Sequence, residues 1–112
     1  PRAVAGSLSR SDELTGLANR RELDEALRRE FKRAQRQRGQ LALAVLDLDH
    51  FKRYNDHYGH QAGDDCLRRV AAALHAGLRR PGDLLARYGG EEFVCLLPDT
   101  PLDGALALAH QL

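Results

Sequence analysis

The chain has 112 residues, a length that gives room for one domain and one hydrophobic core. Hydrophobic residues make up 43% of it and charged residues 29%, which is ordinary for a soluble globular protein. Seventeen Lys and Arg against sixteen Asp and Glu give a net charge of +1, which argues against a nucleic-acid-binding protein. The longest apolar run, residues 41–46, is far too short to span a bilayer, and no secretory signal is visible.

Two cysteines, Cys66 and Cys95, are too few for a disulfide framework or a zinc site. Both lie in apolar surroundings in the sequence. We therefore interpret them as reduced core residues of a cytoplasmic protein.

The first predicted element is a long amphipathic helix. Residues 1–11 are small and polar and are interpreted as a linker from an upstream region, and Asn19 then provides a helix cap. Apolar residues recur at helical spacing until Gly39, which is expected to end the helix. They are Leu23, Ala26, Leu27, Phe31 and Ala34. The opposite, basic face is interpreted as solvated rather than as a nucleic-acid patch, because no aromatic residues interleave with it.

Residues 41–46 form a continuous apolar run, which predicts a strand buried on both faces and therefore central in its sheet. A short helix is expected over residues 50–58, closed by Gly59. A second long helix is expected over residues 61–78, with an apolar stripe at helical spacing. That stripe consists of Leu67, Val70, Ala71, Leu74 and Leu78.

Two strand-like runs follow, at residues 83–88 and 91–97, and the Gly89-Gly90 pair between them predicts a tight hairpin. Thr100 and Pro101 then resemble the start of a last helix that runs towards Leu112. This order of elements favours an α+β fold of the ferredoxin-like kind. We expect a mixed sheet with helices on one of its faces.

Acidic residues stand at the ends of two predicted strands. Asp47 and Asp49 end the first strand, and Glu91 and Glu92 open the strand after the glycine pair. If the hairpin pairs beside the first strand, three or four carboxylates converge, and hard divalent cations such as Mg²⁺ prefer such oxygen ligands. The alternative is that these acids are merely solvated strand ends.

The glycine pair and the start of the short helix are candidates for contact with a phosphorylated ligand. Gly89 and Gly90 are either a simple hairpin turn or a place where a ligand approaches the backbone closely. Lys52 and the backbone amides around His50 and Phe51 are placed to meet phosphate.

Asn55 and Asp64 are candidates for reading a base edge. A carboxylate accepts hydrogen bonds from the N1–H and exocyclic amino group of guanine, and an amide both donates and accepts. Taken singly, either residue is more often a cap or a surface residue.

Four motifs together resemble those of GGDEF domains. Residues 87–93, Arg-Tyr-Gly-Gly-Glu-Glu-Phe, resemble the family signature in its GGEEF form. Residues 12–21 resemble the opening motif, and residues 47–56 and 58–64 resemble the second and third. The motifs occur in the family's order and cover residues 12 to about 100, which makes the resemblance highly specific.

The resemblance implies a diguanylate cyclase, which condenses two GTP into cyclic di-GMP and releases pyrophosphate. Matched residue by residue, it assigns Mg²⁺, with Mn²⁺ as the alternative, to Asp47, the carbonyl of Leu48, Glu91 and Glu92. One of the two glutamates, with Glu91 favoured, helps to deprotonate the attacking 3′-hydroxyl. The resemblance further implies that Lys52 stabilises charge on the phosphates and that Asn55 and Asp64 bind guanine. It also implies that Gly89 and Gly90 let the nucleotide lie close to the backbone.

The resemblance also implies partners. Each domain of the family binds one GTP, so a homodimer is required for catalysis, and upstream sensor domains normally control its formation. The family domain continues with a strand, a helix and a strand beyond the part matched by residues 12–112.

Arg80 and Asp83 match the RxxD inhibitory site of the family in sequence and in distance from the signature. This match implies that cyclic di-GMP binds there as an inhibitor, since an arginine fork binds phosphate or the guanine edge. The alternative is a Pro81-Gly82 turn with charged flanks.

Two other functions are consistent with the same fold. One is a module that binds GTP or cyclic di-GMP without turnover, although the intact signature acids favour the enzyme. The other is an RNA-binding ferredoxin-like domain, which is disfavoured because the hairpin lacks the aromatic pair that such sheets use for stacking.

Overall fold

The structure is a computed structural model that describes residues 9–78 and 80–100. Its elements in chain order are α1 (Arg20–Gln37), β1 (Leu41–Asp47), α2 (Phe51–Tyr58), α3 (His60–Gly77), β2 (Leu84–Arg87) and β3 (Glu92–Pro98). The predicted last helix lies outside the described residues, except for Thr100. Within the described part of the chain, no helix is long and apolar enough to cross a membrane.

The start of α1 confirms the predicted cap. The side chain of Asn19 accepts a hydrogen bond from the backbone N–H of Glu22 at 3.0 Å. The end of the helix differs from the prediction, because Arg38 rather than Gly39 takes the left-handed conformation, with a φ of 53°. The N–H groups of Arg38 and Gly39 both bond back to carbonyls of the last turn, so the helix ends one residue early.

The described sheet has the order β1-β3-β2, and both of its strand pairs are antiparallel. β3 is therefore the central strand, and the prediction that β1 is central is wrong for the described sheet. Alternate residues of β1 pack into the core, but Leu43 and Val45 on its other face are 48% and 62% exposed. An apolar run alone does not show whether a second layer covers both of its faces.

Helices pack on both faces of the sheet, so the expected one-sided arrangement is also wrong. Successive residues of β3 point to opposite faces, and each face has its own helix. The α3 face contains Leu67, Ala71 and Leu74 with Phe93, Cys95 and Leu97; the α1 face contains Leu23 and Ala26 with Ala86, Val94 and Leu96. Phe31, expected in the α1 stripe, is 55% exposed.

The two cysteines differ in their environments. Cys95 is fully buried on the α3 face of β3, as predicted, whereas Cys66 on α3 is only half-buried. Burial, with a smaller contribution from the charge of Asp83, raises the pKa of the Cys95 thiol to about 11. Cys95 is therefore an unreactive core thiol.

The β2–β3 hairpin is wider than predicted. Four residues, 88–91, separate the two strands, rather than the glycine pair alone. The N–H groups of Tyr88 and Gly89 both bond to the carbonyl oxygen of Glu92, at 2.8 and 3.4 Å. The hairpin therefore carries the glycine pair and Glu91 together in one loop at the end of the sheet.

Candidate functional site

The two acidic stretches meet at one edge of the molecule. Asp47, the last residue of β1, lies directly opposite Glu92, the first residue of β3, in the antiparallel register. Beyond the register, the backbone N–H of Leu48 donates to the carbonyl oxygen of Glu91 at 3.2 Å. Directly opposed residues have Cβ atoms about 5 Å apart, so the strand pairing brings acidic residues from distant parts of the sequence together.

Asp49 lies beyond the end of β1. The strand ends at Asp47, and the chain then turns through His50, which has a left-handed φ of 60°. Asp49 therefore does not continue the strand, and the register does not pair it with β3. Instead, Asp49 lines a surface cavity of about 390 Å³ together with His50 and exposed residues of α2.

The donor set at the edge fits Mg²⁺ with few protein ligands. Among residues 9–78 and 80–100, no group of three His, Cys, Asp or Glu side chains is arranged to hold a metal ion. Mg²⁺ usually takes only one or two carboxylates and completes its shell with water and substrate phosphates. The opposed pair of Asp47 and Glu92, with Leu48 and Glu91 beside it, meets that requirement.

Asn55 of α2 packs against Gly63 of α3, the residue directly before Asp64. The half-buried side chain of Asn55 lies on Gly63, so closely that a Cβ at Gly63 would be 1.6 Å from its Oδ1. This buried Oδ1 has no hydrogen-bond partner within the described structure. Asp64 follows Gly63 directly and is exposed. The junction therefore combines an unused acceptor with an accessible carboxylate.

The start of α2 presents the residues predicted to meet phosphate. Lys52 is exposed in the first turn, and His50 precedes the helix in its left-handed conformation. Phe51 is half-buried and packs against the core on the α3 face. The apolar contact of Phe51 thus anchors the helix start and leaves Lys52 free to reach solvent.

The glycine pair is not required by the described fold. Neither Gly89 nor Gly90 has a positive φ. A Cβ at Gly89 would make an ordinary 3.7 Å contact with Glu92, and a Cβ at Gly90 would meet no described atom within 4 Å. A strained turn therefore does not explain these glycines, and the backbone around them is unobstructed in the described structure.

Arg80 and Asp83 form an ion pair with each other. Arg80 Nη2 lies 2.7 Å from Asp83 Oδ1 and also donates to the carbonyl oxygen of Pro98 at 2.9 Å and to the hydroxyl of Thr100. The Asp83 side chain is 1% exposed, whereas that of Arg80 is 42% exposed. Their interaction raises the pKa of the Arg80 guanidinium, and Arg80 remains open to solvent on one side.

A cavity of about 270 Å³ adjoins this pair. One of the residues that line it belongs to the basic face of α1, which the sequence predicts to be solvated. Arg33 lines the cavity together with Arg80. It pairs with Glu30 at 2.9 Å and with Asp99 at 2.6 Å. The sequence places Arg33 far from Arg80, so only the packing of α1 beside the end of β3 reveals this neighbourhood.

A family comparison decides the identity of the fold. The family model described as "Diguanylate cyclase, GGDEF domain" matches residues 9–112. The chain belongs to the GGDEF domain family. It is 52% identical over 102 residues to the diguanylate cyclase DgcP of Pseudomonas aeruginosa and 43% identical over 105 residues to the response regulator PleD of Caulobacter vibrioides. These matches cover 91% and 94% of this chain but only 15% and 23% of the relatives.

The solved structures confirm the predicted α+β fold. The GGDEF domain of DgcB from Caulobacter crescentus, determined in complex with c-di-GMP, superposes with a TM-score of 0.87 at 39% identity. The alignment covers 92% of this chain and 60% of that structure. The described part of the chain therefore has the fold of a GGDEF domain.

Proposed function

We propose that the protein containing this chain is a diguanylate cyclase, which condenses two GTP into cyclic di-GMP with release of pyrophosphate. The main support is the strand register that opposes Asp47 to Glu92 and bonds Leu48 to Glu91. This arrangement provides oxygen ligands for a cation beside a loop that leaves room for a nucleotide.

Mg²⁺, or Mn²⁺ in its place, would be held by Asp47, the carbonyl of Leu48, Glu91 and Glu92. When bound, the cation neutralises charge on the triphosphate and orients it. The two glutamates are half-buried and Asp47 is exposed, so the site is open to a ligand from solvent.

The other residues of the site bind and orient the nucleotide, and one of the glutamates moves a proton. Glu91 accepts the proton of the attacking 3′-hydroxyl, while Lys52 stabilises charge on the phosphates. Asn55 and Asp64 bind guanine, whose N–H groups would satisfy the unpartnered Oδ1 of Asn55. The backbone around His50 and Phe51 contributes amide donors to phosphate.

Catalysis requires two copies of the domain, since each half-site holds one GTP and the reaction joins two. We interpret residues 1–11 as the link to an upstream sensor region and residues 12–112 as part of the GGDEF domain. The unpaired cysteines suit a cytoplasmic location.

An assay of the full-length protein with GTP tests this function. We expect cyclic di-GMP and pyrophosphate to form with Mg²⁺ and not with a chelator present. If a forcibly dimerised protein binds GTP but makes no product, the non-catalytic binding module is the correct function. If it neither binds nor converts GTP, both functions are wrong.

Alanine at Gly90 should separate catalysis from folding. The substitution meets no steric obstacle in the described residues, so the unfolding free energy should stay unchanged or rise by about 0.4–1 kcal/mol. Because the added methyl group occupies the path of the nucleotide, kcat/KM for GTP should fall about 10-fold or more. Thermal unfolding and initial rates check both expectations. Full activity of Gly90→Ala would show that the glycine is not needed by the nucleotide.

Cyclic di-GMP is proposed to bind and inhibit at Arg80 and Asp83. The exposed side of the Arg80 fork and the adjoining cavity support this proposal, since a guanidinium binds phosphate or the guanine edge through paired N–H groups. Binding competes with the bonds that Arg80 already makes to Pro98 and Thr100.

Calorimetry on Arg80→Lys tests this site. Lysine keeps a positive charge beside the buried Asp83 carboxylate but lacks the planar fork, so affinity for cyclic di-GMP should fall at least about 10-fold. Arg68→Ala is the matched control, because Arg68 makes an exposed ion pair with Asp65 on α3. Unchanged affinity in Arg80→Lys would assign the ligand to another surface.

A further inference from the structure

One arginine outside the proposed machinery holds the loop that carries Glu91. Arg87, the last residue of β2, donates from Nε and Nη2 to the carbonyl oxygen of Gly90, at 3.2 and 2.9 Å. Two N–H groups of a planar guanidinium fix the direction of a carbonyl as well as its distance. Gly90 directly precedes Glu91, whose own carbonyl oxygen accepts from Leu48 at 3.2 Å. The backbone of Glu91 is therefore held on both sides.

The same guanidinium also contacts the loop ahead of α1. Its Nη1 lies 3.3 Å from both carboxylate oxygens of Asp12, and the two side chains are only 18% and 21% exposed. Asp12 is fixed in turn, because its Oδ2 accepts from the backbone N–H and the hydroxyl of Thr15 at 2.9 and 2.8 Å. Partial burial raises the pKa of the Asp12 carboxyl group, but the Thr15 hydrogen bonds and the Arg87 charge outweigh it and hold the pKa below its usual value.

The loop of residues 9–19, which we call the entry loop, is joined to the sheet by further bonds. The backbone N–H of Arg87 donates to the carbonyl oxygen of Ala18 at 2.9 Å, and the N–H of Ala18 donates to Leu85 at 3.3 Å. Arg10, near the start of the loop, pairs with Glu22 of α1 at 2.6 Å. A continuous series of bonds therefore runs from the entry loop through Arg87 to the glycine pair.

We infer that Arg87 is a positioning residue that sets the place of Glu91 for catalysis and couples it to the entry loop through Asp12. This inference rests on the proposed cyclase function. Residues that orient a catalytic or metal-binding group typically change activity 10- to 100-fold when they are removed, while touching no reacting atom themselves. A merely structural Arg87 would instead change unfolding alone.

Three variants of the full-length protein test the inference. Arg87→Lys keeps a charge beside Asp12 but cannot also donate two N–H groups to Gly90, so we expect kcat to fall about 10- to 100-fold at a near-normal unfolding temperature. Arg87→Ala removes both the charge beside Asp12 and the N–H groups that bond to Gly90, so both kcat and the unfolding temperature should fall. Arg10→Ala removes an ion pair between the same entry loop and α1 that involves neither Arg87 nor the glycine pair, so its kcat should equal that of the unchanged protein.

Amide hydrogen exchange gives a readout that does not require turnover. Residues 88–92 should exchange faster in Arg87→Lys and Asp12→Asn than in Arg10→Ala, because only the first two loosen the hold on the Gly90 carbonyl. Equal exchange in Arg87→Lys, Asp12→Asn and Arg10→Ala, or a normal kcat in Arg87→Lys, would overturn the inference. If the unchanged protein makes no product, the proposed function fails, and hydrogen exchange still decides whether Arg87 holds this loop.

Discussion

Replacing Asp47 with asparagine should abolish turnover and leave the fold intact. Asp47 stands at the end of β1, opposite Glu92, and provides the carboxylate from the β1 side of the proposed cation site. Asparagine is similar in shape but has no negative charge, so binding of the cation should weaken and kcat/KM should fall on the order of 10²-fold or more.

The unfolding free energy of Asp47→Asn should rise or stay unchanged, although its activity falls. Like charges directly opposite each other on neighbouring strands are destabilising, so removing one should raise the unfolding free energy by up to about 1 kcal/mol. Initial rates and thermal unfolding measure the two effects on the same sample. Asp65→Asn is the control, because Asp65 is an exposed acid on α3. Unimpaired catalysis in Asp47→Asn would remove this residue from the mechanism.

Alanine at Gly63 should displace the side chain of Asn55, which we propose binds guanine, without unfolding the domain. The added Cβ would lie 1.6 Å from Oδ1 and 2.7 Å from Cγ of Asn55, so the Asn55 side chain must rotate away. Alanine also favours a helix interior over glycine by about 0.8–1 kcal/mol, which offsets part of the rearrangement. The lost hydrogen bonds should weaken binding of a non-hydrolysable GTP analogue about 10-fold or more.

A double-mutant cycle shows whether Gly63→Ala acts through Asn55. In a protein that already carries Asn55→Ala, the Gly63 substitution should have almost no further effect on affinity, since the two residues are in contact. Gly39→Ala is the control, because its added Cβ would make only an ordinary 3.6 Å contact with Asp99. Equal losses from Gly63→Ala in both backgrounds would show that Asn55 does not carry the effect.

Local signals in the sequence predict most elements of this fold. Asn19 caps α1 as expected, and the apolar run at residues 41–46 forms a strand. The position of that strand was not predictable, because hydrophobicity does not say which neighbour covers Leu43 and Val45. The two-sided helix packing follows from the alternation along β3, but only after β3 is known to be central.

The candidate site could also be predicted only in part from the sequence. The prediction that Asp47 lies near Glu92 required only that a strand of the hairpin be paired with β1. The structure shows this pairing between β1 and β3. Whether Asp49 would share this edge depended on how far β1 extends, and the strand ends at Asp47 before a left-handed turn at His50. Arg87 lies in the signature motif, and its contact with Asp12 spans 75 positions of the chain. Such long-range ion pairs leave no periodic signal in a single sequence.

The position of a bound cation is the decisive observation for the proposed site. Crystals of the full-length protein with Mn²⁺ and a non-hydrolysable GTP analogue would give the position of the cation from its anomalous scattering. We predict one peak within about 2.2 Å of an Asp47 carboxylate oxygen, next to Glu91 and Glu92 and in contact with the triphosphate. A nucleotide and cation bound elsewhere, with Asp47 contacting neither, would contradict the proposed site.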